Sequence, residues 1–403
     1  MNVERITIIG GWVLFTCFVA FLGTFYIQRE LAKGPELALK YVDMIKNEAF
    51  IGNKVVEGFA SALSYKEMVN QPLINFYIAS SYNTCCTGEF QNGYVDLKAL
   101  EAILNHGVRA IDLEVYMSLE GQPIVGAGIH PQINSKIACR KHKYDSKGTY
   151  NHITVNEVFG LIKGLAFSGP PNSNDPLFIN LRIKASGDKD NLYSILADLI
   201  NTHFKGMLLG AAYSKEGSNK MTGKNLAQTP LKELKKKIII IVEDFCDDYK
   251  QNKKFYPLVN LSPTTSAAPK GKIRVETGFS VANNASISEF KKDNQLSLCM
   301  TYPINNHNLS TVDNSNWQSH HSYGCQFVFM NYSKLADQTQ AGQRMKTYNK
   351  KFRGKGSQII LKPADLLWRP RKIPMPKPMN KPEEDPSVPQ KRCNEITGEC
   401  TEM

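Results

Sequence analysis

A chain of 403 residues, 42% of them apolar and 10% aromatic, has enough hydrophobic material for one large core or two modest ones, which excludes disorder throughout. Its formal net charge of +12 favours an anionic partner, nucleic acid or an acidic membrane face. The basic runs Lys232 to Lys237 and Lys346 to Lys355 come without a zinc-finger or RNA-binding signature, so membrane lipids are expected through a basic surface and nucleic acid is not. Nine cysteines with no CxxC spacing argue against a zinc site.

In chain order, a short flank (1–5) precedes Ile6 to Ile27, which holds no charged residue and has Trp12 and Tyr26 near its ends. Residues 6–28 are expected to be a transmembrane helix; a cleaved signal peptide would have a shorter apolar core and a small-residue cleavage site. Arg29 and Lys33 downstream against Arg5 upstream weakly favour the cytoplasmic side for the large domain. Residues 29–70 place Leu37, Val42, Ile45 and Phe50 at helical spacing and predict a helical connector. Residues 371–403, with Pro374, Pro376 and Pro378 close together, predict an extended charged tail, in which Cys393 and Cys400 are either a disulfide or two free thiols.

Between these ends, at 71–370, short β-rich runs alternate with helical stretches, the pattern of parallel strands joined by helical crossovers. The expected strands are Leu73–Ser81, Val108–Val115, Pro123–Gly126, Leu177–Ile183, Lys237–Glu243, Leu296–Tyr302, Gln326–Tyr332 and Gln358–Lys362. Crossover helices are expected over Val95–His106, Val155–Ala166 and Leu192–Phe204. Eight strands suggest an α/β class (β/α)8 barrel, with a first half at 71–210, a second at 230–370 and a distorted seam between Val275 and Asn294. An open doubly wound sheet would usually carry a glycine-rich loop after its first strand, and none is present.

The stretch Ser80-Ser81-Tyr82-Asn83-Thr84 followed by Gly88 resembles the S-S-H-N-T-x-x-x-G of eukaryotic-type phosphoinositide-specific phospholipase C. Gly107 to Tyr116 with Gly121-Gln122-Pro123-Ile124-Val125 is similar to that family's G-C-R-x-V-E-L-D-x-W and G-x-P-V-V, and Ser135-Lys136-Ile137 to its S-K-I. In the second half, Leu231 to Ile241, Gly324 to Tyr332, and Phe352, Gly354 and Gln358 to Pro363 resemble the family's later strands. The resemblance runs from about Pro72 to Pro370 and implies the phospholipase C catalytic barrel.

The resemblance also implies two histidines as general base and acid and a calcium ion that activates the inositol 2-hydroxyl. Here Tyr82 and Ala127 stand at the histidine positions, and neither exchanges protons usefully at neutral pH. His130 is the nearest alternative acid, though a lone loop histidine is more often a surface group. Asn83, Asp112 and Glu114 match retained calcium ligands, but Arg182 stands at the remaining carboxylate. Arg182 is expected to pair with Asp112 or Glu114 where the metal would sit, unless the strand register turns it away. No cofactor is therefore expected, and calcium only if Arg182 leaves those three residues free. Ile241, Glu243 and Met300 replace the family's phosphate-holding lysines and arginine.

The implied function is a pseudoenzyme serving as a binding or structural module at a membrane, with an unidentified protein partner and a membrane-containing virus particle as one setting. The alternatives are a phosphodiesterase with altered chemistry and an anionic-lipid binder using surface lysines.

Overall fold

The first helix is longer than the sequence pattern predicts: α1 runs Val3–Phe50, with no break between the apolar run and the connector and with Pro35 inside it. An interior proline costs about 3 kcal/mol or more. Burial of Tyr41 and Ile45, at about 1.5–3 kcal/mol for a large apolar side chain, offsets that cost. Among the described residues α1 is the one helix long and apolar enough to cross a membrane, and its residues 9–29 are exposed.

The computed structural model describes residues 3–50, 65–128, 147–168, 173–185, 189–214, 223–244, 246–264, 272–277, 287–303, 312–353, 357–370, 391–393 and 400–402. His130, the Ser135-Lys136-Ile137 match, Gly354 and the tail prolines Pro374 to Pro378 lie outside them. Two units are present, Met1–Trp368 and Arg369–Met403. In the second, Lys391–Cys393 and Cys400–Glu402 form an antiparallel ladder with Cys393 opposite Cys400, where an extended tail was expected.

The first unit contains β1 (Phe76–Ser81), β2 (Ala110–Met117), β3 (Pro123–Gly126), β4 (Ile153–Thr154), β5 (Leu177–Ile183) and β6 (Ile238–Glu243). It continues with β7 (Ser262–Thr264), β8 (Lys272–Thr277), β9 (Cys299–Tyr302), β10 (Phe327–Met330) and β11 (Ile359–Leu361). The helices after α1 are α2 (Tyr65–Asn70), α3 (Leu97–His106), α4 (Val155–Leu165), α5 (Lys189–Phe204), α6 (Ile287–Leu296), α7 (Trp317–Ser322) and α8 (Gln340–Phe352). Local chemistry sets their ends. Asp96 caps α3 by accepting from the Lys98 N–H at 2.8 Å, and Gly107, at φ 102°, ends it in a left-handed turn. Thr154 and Glu157 form a reciprocal capping box on α4.

Eight parallel strands close into a barrel among the described residues, in the order β1, β2, β5, β6, β7, β8, β9, β10 and back to β1. The α/β barrel expected from the sequence is thus present, but two of its strands differ from those expected. Pro123–Gly126 folds back antiparallel on β2, and Ile359–Leu361 lies antiparallel on β1. Their places are taken by β7 and β8, which the sequence hides. β7 is three residues long with Pro263 at its centre, and β8 alternates charged and apolar residues like a half-exposed strand. The seam is not between Val275 and Asn294, since β8 pairs on both sides. It lies between β6 and β7, where the Ile241–Leu261 bridge closes the ring.

Alternation along the strands makes two cores. Ala110, Phe178, Ile239, Met300, Phe327 and Phe329 fill the barrel, while Ile111, Leu113, Leu181 and Val242 face the helices. The interior rows nearest the carboxyl ends of β2, β5 and β6 are polar except at Ile241, and they form the site.

Candidate functional site

The register sets Asp112 beside Asn180 and Ile241 in one row, and Glu114 beside Arg182 and Glu243 in the next. Asp112 and Glu114 are fully buried and Arg182 is 5% exposed. Aligned residues on parallel strands share a face, so all three enter the barrel mouth together.

Arg182 uses all of its donors. Nε donates to Asp112 Oδ1 at 2.8 Å and Nη2 to Asp112 Oδ2 at 2.6 Å, a two-point pair. Nη2 also donates to Asn83 Oδ1 at 2.7 Å, while Nη1 donates to Glu114 Oε1 at 2.7 Å and to the Tyr82 hydroxyl at 3.1 Å. A guanidinium has five N–H groups, and this set occupies them all. The guanidinium carbon also lies 4.4 Å from the Tyr82 ring centre and 5.7 Å from that of Tyr302. Burial opposes its charge, yet the carboxylates of Asp112 and Glu114 hold its pKa well above the ordinary value.

The surrounding groups fix this pair. Asn83 stands at φ 41°, a left-handed conformation that asparagine tolerates, which brings its N–H to Asp112 Oδ2 at 2.9 Å. Asn180 donates to Asp112 Oδ1 and to the Tyr302 hydroxyl, both at 2.9 Å. Tyr116 donates to Glu114 Oε2 at 2.7 Å, and Tyr302 to Glu243 Oε2 at 2.6 Å. Asn180, Tyr116 and Tyr302 were not anticipated as site residues. The two-residue step from Asn180 to Arg182 could have revealed the first.

As a proton-transfer centre the mouth is poor. Burial pushes the Tyr82 phenol up, with Arg182 pulling the other way, and burial with Glu243 pushes up Tyr302. Ala127 is buried, and its carbonyl accepts from the Gly148 and Thr149 N–H groups at 2.8 and 3.1 Å. Ile241 and Met300 are buried in the apolar barrel interior, and Glu243 is committed to Tyr302. The donor set does not fit calcium, which takes six to eight oxygens, because both Asp112 oxygens and one Glu114 oxygen are occupied by the guanidinium. One guanidinium against the carboxylates of Asp112, Glu114 and Glu243 leaves a formal surplus of negative charge, unsuited to a phosphate.

A second acidic group, Asp244, Cys246 and Asp248, follows β6. Lys189 already lies 3.1 Å from Asp244 and 3.2 Å from Asp248, and Cys246 is disulfide-bonded, so it offers no thiolate.

Residues 69–244 match the family described as phosphatidylinositol-specific phospholipase C, X domain. The 1-phosphatidylinositol 4,5-bisphosphate phosphodiesterases eta-1 of Mus musculus and Homo sapiens are each 37% identical over 101 residues. Those segments make up 24% of this chain but only 6% and 5% of the relatives, so the chain spans a small part of their length. The crystal structure of L. pealei PLC21 superposes at a TM-score of 0.55 and 18% identity, covering 73% of this chain and 38% of that one. Residues 69–244 thus resemble the X domain of phosphatidylinositol-specific phospholipase C, and the chain has the α/β barrel fold of a phospholipase C catalytic domain.

Proposed function

We propose that this barrel is a catalytically silent phospholipase C domain, held at a membrane by α1, which works as a binding or structural module. The observation that carries the reading is the saturation of Arg182 by Asp112, Glu114, Asn83 and Tyr82. Loss of a histidine acid or base costs about two to four orders of magnitude each, and both positions are changed together with a metal position. The altered-chemistry phosphodiesterase draws support from the fold alone. Two cues on the side of the membrane oppose each other: Arg29 and Lys33 favour the cytoplasm, whereas the disulfide at Cys246 favours an oxidising compartment. The test of silence is hydrolysis of phosphatidylinositol vesicles by the full chain, with calcium and with a chelator. Release at the buffer rate in both is expected, and calcium-dependent release contradicts it.

A further inference from the structure

The junction between α1 and the barrel fixes which end of the barrel meets the bilayer. The Tyr94 hydroxyl donates to the Glu30 carbonyl, and a side-chain carbon on Gly34 would come within 3.0 Å of the Tyr94 ring, so this turn of α1 sits directly on Tyr94. Further along, Leu39, Val42, Ile45 and Lys46 line a cavity of about 360 Å³ with Lys98, Glu101, Ala102, Asn105 and His106. Successive turns of α1 therefore meet successive turns of α3, and the two helices run in the same sense. Because α3 crosses from the carboxyl end of β1 back to the amino end of the parallel β2, the exposed apolar half of α1 leaves from the mouth end.

The loops at that exit are tied to the mouth itself. Asn92 N–H donates to the Gly148 carbonyl and Tyr150 N–H to that of Gly93, both at 2.9 Å, while Gly148 N–H reaches Ala127 at 2.8 Å. The Tyr150 ring centre is 5.5 Å from that of Tyr94, and Tyr150 is 40% exposed. The 22 residues from Ile6 to Ile27 reach ~33 Å, against ~30 Å of hydrocarbon. Tyr94 meets the helix one turn beyond Tyr26, ~6 Å along the axis, and the headgroup layer is itself ~5–7 Å deep on each side.

We infer that Tyr26, Tyr94 and Tyr150 form a tyrosine collar lying in the headgroup layer of the bilayer that α1 crosses, which seats the barrel with its mouth turned to the lipid. The exposed rings of Tyr26 and Tyr150 suit that position, with an apolar body and a hydroxyl that stays wet, while the buried Tyr94 ties them to α1 through Glu30, and Arg29 lies within one turn of Tyr26 to meet lipid phosphates. This rests on the proposed membrane anchor, and the experiment separates the two claims.

The full chain and its Tyr150→Trp, Gln91→Trp and Leu296→Trp variants are reconstituted in phosphatidylcholine vesicles carrying a nitroxide either on the headgroup or deep in the acyl chain. Gln91 is an exposed residue on the same rim, and Leu296, 56% exposed, precedes β9 at the opposite end of the barrel. The deep label is expected to quench the native Trp12. The headgroup label is expected to quench the emission added by Tyr150→Trp and Gln91→Trp and to leave that added by Leu296→Trp. If Trp12 is quenched but the rim reporters lose no more emission than Leu296→Trp, the collar is overturned while the anchor stands. If Trp12 escapes the deep label, the anchor fails and the collar with it.

Discussion

Arg182 at the mouth and Lys362 at the opposite end of the barrel are almost equally buried, at 5% and 3% exposure, but their surroundings treat them differently. Arg182 has two carboxylates and a hydrogen-bond acceptor for every N–H, and its pKa is driven upward. Lys362 Nζ has no hydrogen-bond partner among the described residues and lies 5.9 Å from the Tyr77 ring centre. Burial pushes it down to about 7, with the thiols of Cys325 and Cys299 pulling the other way. Depth alone discharges a cation, and only built-in counter-charges keep one ionised. The mouth therefore holds an internal cation that its own side chains solvate fully.

Removing the mouth cation should have the largest effect. Arg182→Leu leaves Asp112 and Glu114 buried without a counter-charge, and unfolding should show a loss of about 3–5 kcal/mol. Arg182→Glu should be similarly weak in chelator but should regain melting temperature on adding calcium, which the parent chain should not do.

At the other end the sign reverses. Between about pH 7 and the ordinary lysine value of 10.5 the unfolded chain binds the proton that folded Lys362 has released, so this residue makes stability rise with pH. Below about 7 both states hold the proton and the full burial penalty remains. Lys362→Met should therefore stabilise the protein by a few kcal/mol near pH 6 and by progressively less as pH rises, as read from denaturant midpoints. A midpoint gain independent of pH would mean that Lys362 is not held neutral.

Order of rescue sharpens the comparison further. Tyr82→His with Ala127→His should give no phosphatidylinositol turnover while Arg182 remains, because the carboxylates stay occupied. Adding Arg182→Glu should recover calcium binding. The smallest effect is expected from Tyr94→Phe, which removes one hydrogen bond to α1 and should cost about 1 kcal/mol.

Asp112, Glu114 and Arg182 were legible through the resemblance to the phospholipase C motifs, and the two-residue repeat of a strand, which alone could have added Asn180, explains why they share the mouth. Asp112 and Glu114, then Asn180 and Arg182, fall on one face whatever the sheet does next. Tyr302 belongs to the site only because β9 brings it to Asn180, more than a hundred residues away in sequence, and no local pattern carries that contact. The same limit governs the strands. Pro123–Gly126 and Gln358–Lys362 have the composition of strands, and nothing in an apolar run tells antiparallel from parallel pairing. β8 was missed because Arg274 reads as a solvent residue, whereas it is buried against Asp293 at 2.7 Å and Asn294 at 2.5 Å. The unbroken α1 was hidden by Pro35, since the packing of Tyr41 and Ile45 that carries the helix onward is tertiary.

Calorimetric titration of calcium into the parent chain and into Arg182→Glu, side by side at neutral pH, tests most directly whether the guanidinium has taken the metal's place. The expected result is no binding heat for the parent and a saturable heat for the variant. Tight calcium binding by the parent chain, with Arg182 intact, would contradict it.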